Sequence, residues 1–182
     1  MIKEINFKNF KCFNSADIPI KNLTVLAGQN GCGKSTLIQA ILLLKQSYEK
    51  FAALDKVIIS GDYISLGSSG DIINEYTEES YIKIEIIDTD NKKVSINIPY
   101  VSSMNLLKAE CTNDKDLDKV NIFKDSFEYI AADRIVPQNI FSSINYSRNL
   151  GIHGEKVFSY LSLYGNEAVN PALCMDDVSD GL

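Results

Sequence analysis

The residues of this chain whose types and spacing suit chemistry lie in one glycine-rich run, Gly28-Gln29-Asn30-Gly31-Cys32-Gly33-Lys34-Ser35. The run satisfies G-x-x-x-x-G-K-[ST], a pattern in which backbone N–H groups surround a chain of phosphates. Lys34 supplies an ammonium group for the β- and γ-phosphates, and the Ser35 hydroxyl can bind Mg²⁺. The pattern predicts a site for ATP and magnesium, with Lys34 also acting in catalysis. The predicted nucleotide contacts are Gly28, Asn30, Gly31, Cys32, Gly33, Lys34, Ser35 and Thr36.

The flanking sequence has the character that a phosphate-binding loop requires. Residues 23–27 form a continuous apolar segment, typical of a parallel strand that is buried on both faces. After the run, apolar residues recur at helical spacing, which predicts a helix from the loop to about Leu54. A helix N-terminus attracts anions. The alternative is a glycine-rich turn without a ligand, whereas the glycine spacing does not match the G-x-G-x-x-G of dinucleotide-binding folds.

The remaining elements follow from alternation and periodicity. Residues 2–8 and a short strand around Ile18 and Ile20 predict a first hairpin at the start of the chain. Residues 82–98 predict a second hairpin, with one face exposed to solvent. Residues 111–125 are polar and predict a surface loop, followed by a strand at 127–132. A final helix is expected to start near Gly154. Its predicted buried side contains Val157, Phe158, Leu161 and Leu163.

Composition limits the function classes. The chain has 182 residues, 45% of them hydrophobic, which suits one well-buried domain. Its net charge of −6 gives no general attraction to nucleic acid, so nucleic-acid binding is possible only through a local basic patch. The longest apolar stretch is too short to cross a membrane. Four dispersed cysteines favour reduced thiols and a cytoplasmic protein; they are Cys12, Cys32, Cys111 and Cys174.

Cys32 has two interpretations. Its side chain is small enough simply to fit within the loop, or its oxidation or alkylation blocks nucleotide binding.

Several blocks of sequence resemble known ATPases. Residues 5–13, followed by residues 28–36, resemble the opening of SMC-like and RecF-like ABC ATPases. Residues 61–67, 129–137 and 150–155 resemble AAA-family ATPases, including OLD-like proteins, of bacterial phage-defence systems. The resemblance implies an α/β P-loop NTPase, organised as an ABC-ATPase-like N-terminal lobe with a mixed or parallel core sheet and an antiparallel β subdomain.

The resemblance also implies roles for individual residues. It puts residues 9–13 near adenine and ribose, with Lys11 or Phe13 making the contact, although a plain hairpin turn explains them equally well. It makes Gln138 the glutamine that approaches magnesium and the attacking water; taken alone, Gln138 is a surface residue after a proline. Arg134 is placed to contact a phosphate or a partner at an interface, although a salt bridge with a neighbouring residue explains it as well. His153 belongs to the turn that precedes the last helix.

Two parts of an ABC-type catalytic site have no clear match. No L-S-G-G-like signature is present, and residues 172–177 imitate a Walker B strand but follow Pro171, which favours an acidic tail. We therefore expect a single lobe over residues 1–182, with a β insertion at about 57–100 and a helical region from about 135 to 182. We expect a C-terminal lobe to be absent from the chain, and hydrolysis by the chain alone to be slow or absent.

Three functions remain. The first is an ATPase module that couples ATP binding and hydrolysis to conformational change or dimerisation, in phage defence or DNA metabolism, as a homodimer or with the missing lobe or an effector. The second is a non-hydrolysing module that recruits a nuclease or toxin when nucleotide binds. A small-molecule kinase is the weakest, because no lid-like arginine cluster is present.

Overall fold

The computed structural model describes residues 1–124, 127–133 and 149–168. The chain divides into two compact units, Met1–Phe127 and Glu128–Leu182. The strands are β1 (Ile2–Phe10), β2 (Phe13–Pro19), β3 (Lys56–Ile58), β4 (Tyr81–Asp88), β5 (Lys93–Pro99), β6 (Leu106–Lys108) and β7 (Glu110–Thr112). The helices are α1 (Lys34–Phe51) and α2 (Val157–Tyr164), and short 3₁₀ helices cover Ser69–Asp71, Asp114–Lys119 and Asn121–Phe123. Across these described ranges, no helix is long and apolar enough to cross a membrane.

The first unit is built on a five-stranded sheet with the order β2-β1-β4-β5-β7. All four pairings in this sheet are antiparallel. Strands β3 and β6 form a separate antiparallel pair. Both predicted hairpins are confirmed, and the second pairs with β1, so the two hairpins share one sheet.

Alternating side chains give this sheet one apolar face. Phe7 of β1 lies opposite Ile84 of β4, which in turn lies opposite Ile96 of β5. All three are at most 2% exposed. Leu43 and Leu44 of α1 belong to the same core cluster. The helix that follows the glycine-rich loop is thereby anchored in the core of this unit.

The predicted buried strand at residues 23–27 is wrong for the described structure. Leu23 is 81% exposed and Val25 is 77% exposed, and neither belongs to a strand. A parallel strand is buried only when neighbouring strands satisfy its backbone and other elements cover its side chains. No strand among residues 1–124, 127–133 and 149–168 pairs with this segment. The parallel part of the expected core sheet is therefore not confirmed.

Two further predictions fail for identifiable reasons. Residues 111–125 were expected to form a surface loop, but Leu117, Val120 and Ile122 are buried, because apolar residues between the lysines and aspartates face the core. Residues 127–132 were expected to form a strand and do not. A strand requires backbone hydrogen bonds to a neighbouring strand, and no strand of the described residues pairs with residues 127–132.

Both predicted helices are confirmed, with one correction each. Helix α1 ends at Phe51 rather than near Leu54, because Ala52 adopts the left-handed conformation (φ 52°) and donates its N–H to the Tyr48 carbonyl at 2.7 Å. Helix α2 has no buried residue, and Phe158 is 56% exposed. Periodicity tells which side chains share a face, but not whether that face meets a neighbouring element.

The exposure of residues 23–27 predicts unequal costs for one substitution at two valines. Val57 of β3 is 0% exposed, so Val57→Thr buries a hydroxyl group and should lower the free energy of unfolding by about 1–3 kcal/mol. Val25→Thr should change it by less than about 0.5 kcal/mol. Urea unfolding of both variants checks the difference. Equal losses at the two sites would show that Val25 is buried.

Candidate nucleotide-binding site

Gly33 is the residue at which the glycine-rich loop becomes helix α1. Its φ of 94° lies in the left-handed region, which side chains disfavour. A Cβ at this position would lie 2.7 Å from the ring of Phe13 and 2.9 Å from the Cys12 thiol. Gly31 also has a positive φ, 85°, but a Cβ there would meet no atom within 4 Å. Gly33 is therefore required both by the backbone and by close packing on the first hairpin.

Lys34 is folded back over its own loop. Its Nζ donates hydrogen bonds to the carbonyl oxygens of Gly28 at 2.8 Å and Gln29 at 2.6 Å. The Cys32 sulfur lies 3.7 Å from the same ammonium. The carbonyl partners carry no formal charge, so they orient the ammonium group without neutralising it. Among the described residues no carboxylate is paired with this ammonium group, so an anion that enters the loop would meet an uncompensated positive charge.

A cavity of about 300 Å³ lies beside the loop. One wall is formed by the loop and the first turn of α1, through Asn30, Gly31, Gly33, Lys34, Ser35 and Thr36. The other wall is formed by Lys11 and Cys12, from the turn between β1 and β2. Gly28 and Cys32 lie close together within the loop, since the Cys32 sulfur would be 2.9 Å from a Cβ at Gly28.

The two candidates for contact with the nucleoside lie in different places. Lys11 lines the cavity, and its Nζ donates to the Gln39 side-chain oxygen at 2.9 Å. The Phe13 ring stacks on Phe7, with centroids 5.6 Å apart, and packs against Gly33. This geometry favours Lys11 as the contact and gives Phe13 a supporting position beneath the loop. Both assignments stay predictions.

Cys12 lines the cavity; it lies within residues 9–13, which were expected near adenine and ribose, but it had no individual role assigned. Its thiol lies 3.5 Å from the Thr36 hydroxyl, on the first turn of α1. The two residues are 24 positions apart, and the contact forms only because the β1–β2 turn packs against the loop. The family resemblance put Cys12 near the nucleotide as part of residues 9–13, but only the folded chain shows its thiol beside Thr36. Cys12 and Cys32 are free thiols.

The other predicted site residues divide between the cavity and the part of the chain that is not described. Ser35 lines the cavity, where its hydroxyl is the kind of single protein ligand that Mg²⁺ accepts alongside phosphate oxygens and water. Within the described ranges, no group of three or more His, Cys, Asp or Glu side chains could hold a metal ion. Gln138, Arg134, Cys174 and residues 172–177 lie outside the described residues.

His153 lies in the second unit, in the turn before α2, as expected. Its Nδ1 is 2.9 Å from the backbone oxygen of Asp133 and 3.6 Å from a carboxylate oxygen of the same residue.

A glycine-rich loop at the start of a core helix, with a charged lysine at its rim, defines the class of P-loop nucleotide-binding proteins. The family profile of the AAA ATPase domain matches residues 1–162, and the chain belongs to that family. The OLD nuclease of Thermus scotoductus is 43% identical over 44 residues, which cover 24% of this chain and 8% of that protein. The predicted resemblance to ATPases of the OLD, SMC and RecF kind is confirmed.

The packing at Gly33 predicts different costs for alanine at two glycines. Gly33→Ala and Gly31→Ala share the strain of a positive φ, but only Gly33→Ala forces Phe13 and Cys12 to move. We expect Gly33→Ala to lower the free energy of unfolding by about 1–3 kcal/mol more than Gly31→Ala. Denaturant unfolding measures both. In the Gly33→Ala background, Phe13→Leu should recover part of the loss, whereas equal losses for the two alanine variants contradict the packing argument.

Proposed function

We propose that the chain is the nucleotide-binding module of an ATPase, and that ATP binding and hydrolysis drive conformational change or dimerisation. The observation that carries this proposal is the uncompensated ammonium group of Lys34, which the loop carbonyls hold at the rim of the cavity. A triphosphate would accept hydrogen bonds from Lys34 and from the loop backbone, and Ser35 would hold its magnesium ion. The family membership supports ATP as the ligand.

The N-terminus of α1 supplies the rest of the attraction. The first N–H groups of an α-helix have no partner within the helix. No side chain caps this end of α1, and its first turn contains no acidic residue. The helix is 18 residues long and is packed in the core, and the positive end of its dipole lies at the cavity. These features favour a bound anion over a loop that simply turns.

Binding should depend strongly on Lys34. We expect Lys34→Ala to weaken ATP binding in the presence of magnesium by about 10- to 100-fold, because a charge-assisted hydrogen bond is lost. Lys50→Ala is the matched control, since Lys50 is an exposed lysine in the last turn of the same helix. Isothermal titration calorimetry with ATP and with GTP measures the affinity and the base preference. Unchanged ATP affinity in the Lys34 variant would remove the basis of the proposal.

A second candidate is nucleotide-dependent recruitment of a nuclease or toxin without hydrolysis. It is favoured by the composition of the cavity wall, in which no carboxylate occurs among the described lining residues. ATP hydrolysis uses carboxylates to hold magnesium through water and to activate the attacking water. In the leading proposal, Gln138 and residues contributed by a C-terminal lobe, a second copy or an effector complete the site.

Phosphate release as a function of protein concentration separates the two candidates. We expect slow or absent turnover at low concentration, because the described lining residues of the cavity include no carboxylate that could act as a general base. If a second copy completes the site, specific activity should rise with concentration and disappear in Lys34→Ala. Turnover that stays absent while ATP binds would select recruitment. Rapid, Lys34-dependent turnover that does not vary with concentration would contradict the expectation that the chain alone is incomplete.

A partner lobe has a plausible place to join. Leu23 and Val25 are exposed apolar residues in the segment that leads into the loop. A cavity of about 510 Å³ adjoins this segment and is lined by residues that include Ile2, Ile20 and Leu23. Strands from a C-terminal lobe would cover these side chains and turn residues 23–27 into the parallel strand that their composition predicts. This placement would connect nucleotide binding directly to the partner.

The biological output is proposed from likeness alone. One matched relative is named a nuclease, which supports DNA metabolism as the proposed output; phage defence is proposed from the family resemblance alone. With a net charge of −6, the chain would contact nucleic acid through a partner or a local patch rather than through its general charge. The free thiols at Cys12 and Cys32 are compatible with the predicted cytoplasmic location.

A further inference from the structure

The end of β1 and the turn that follows it, which together we call the turn, have an unusual backbone. Asn9 and Lys11 both have positive φ angles, 59° and 50°, although neither is glycine. Each such residue costs roughly 1–2 kcal/mol relative to a right-handed conformation, so contacts from outside the turn must hold it. Lys11 and Cys12 within this turn form one wall of the nucleotide cavity. The contacts that hold the turn therefore determine the shape of that wall.

Those contacts come from residues 68–79, which we call the clamp segment. The Lys11 N–H donates to the Ile72 carbonyl at 2.9 Å, and the Asn74 N–H donates to the Asn9 carbonyl at 3.0 Å. The Asn74 side-chain amide donates to the Lys11 carbonyl at 2.6 Å. Both left-handed residues are thus bonded to the clamp segment by their main chains. The turn cannot relax without breaking these bonds.

Asn74 is the side chain at the centre of this arrangement. It is 4% exposed, and its Oδ1 accepts the N–H of Tyr76 at 3.0 Å. Its amide is therefore fixed at both ends, with its donor group directed at the Lys11 carbonyl. Glu79, at the end of the same segment, accepts bonds from Asn9 and Lys8, both at 2.7 Å.

Asp71 shows that the clamp segment also acts electrostatically on the turn. Its pKa lies below the ordinary value, because the Ser68 backbone N–H and hydroxyl stabilise the carboxylate and the Lys11 ammonium adds to the effect. The Lys11 ammonium group therefore interacts with a carboxylate of the clamp segment, in addition to its hydrogen bond to Gln39.

We propose that Asn74 is a positioning residue for nucleotide binding, and that it sets affinity for the nucleoside portion rather than for the phosphates. The inference rests on the proposed function. Phosphates would occupy the loop and the N-terminus of α1, which the clamp segment does not contact through Asn74. In this proposal, the nucleoside lies beyond the phosphates and against the wall made by Lys11 and Cys12. Asn74 acts on that wall through the Lys11 carbonyl.

A comparison of the affinities for ATP and for inorganic tripolyphosphate distinguishes this role from a general effect on the fold. We expect Asn74→Ala to weaken ATP binding about 5- to 10-fold, the loss of roughly one hydrogen bond, while binding of inorganic tripolyphosphate changes less than about 2-fold. Both are measured by calorimetry with magnesium. Asn113→Ala is the matched control, since the Asn113 amide donates to the Lys93 carbonyl at 2.7 Å on the far edge of the sheet. It should alter neither affinity.

A second variant covers the case in which Asn74→Ala does not fold. Asn74→Asp keeps the side-chain volume and the acceptor for Tyr76, and replaces the donor to Lys11 by a carboxylate oxygen. Its added charge should weaken tripolyphosphate, which is the more highly charged anion, at least as much as ATP, so a rise in the ratio of the ATP to the tripolyphosphate dissociation constant reports the positioning effect. That ratio should rise about 5-fold or more, as expected for one lost hydrogen bond.

The outcomes are distinct. An unchanged ratio in a folded Asn74 variant overturns the inference, even if both ligands bind more weakly. A wild-type chain that binds tripolyphosphate but not ATP also overturns it, because no nucleoside is then positioned. A wild-type chain that binds neither ligand overturns the proposed function and this inference with it. A raised ratio, with the Asn113 control unchanged, supports the assignment.

Discussion

The close packing of Gly33 against Phe13 and Cys12 is the contact on which the whole site depends. On one side of it lies the first hairpin, which belongs to the main sheet; on the other side lies the first turn of α1. Because there is no space for a Cβ, the loop can approach the hairpin closely enough to make a cavity between them. The same contact brings Cys12 within 3.5 Å of Thr36.

The electrostatics of the site are local. The chain carries a net charge of −6, yet the cavity is bounded by Lys11, Lys34 and the N-terminus of a helix without acidic residues in its first turn. Interactions between exposed charges decay over roughly 10 Å at moderate salt, so distant acidic residues do little to a phosphate in the loop. An acidic protein can in this way present a basic site without any basic run in its sequence.

The two walls of the cavity come from different parts of the chain. The loop and α1 are contiguous in sequence and together offer what a chain of phosphates requires. The opposite wall is made by a turn whose backbone is held by a segment more than sixty residues away, as the 63-residue separation of Lys11 and Asn74 shows. In the proposed site, affinity for phosphates and affinity for the rest of a ligand would therefore depend on different parts of the chain.

Local patterns were enough to predict the glycine-rich loop, the start of α1 and both hairpins, because each depends on backbone angles and on side chains within a few residues. Burial was not predictable in the same way. The apolar residues at 23–27 lie exposed, whereas apolar residues hidden in the polar stretch at 111–125 reach the core. By itself the sequence determined the family and the phosphate-binding loop. The family resemblance put residues 9–13 near the nucleotide, but only the tertiary structure decided which of them line the cavity and that the Asn74 amide bonds to the Lys11 carbonyl, because these contacts join segments that are distant along the chain.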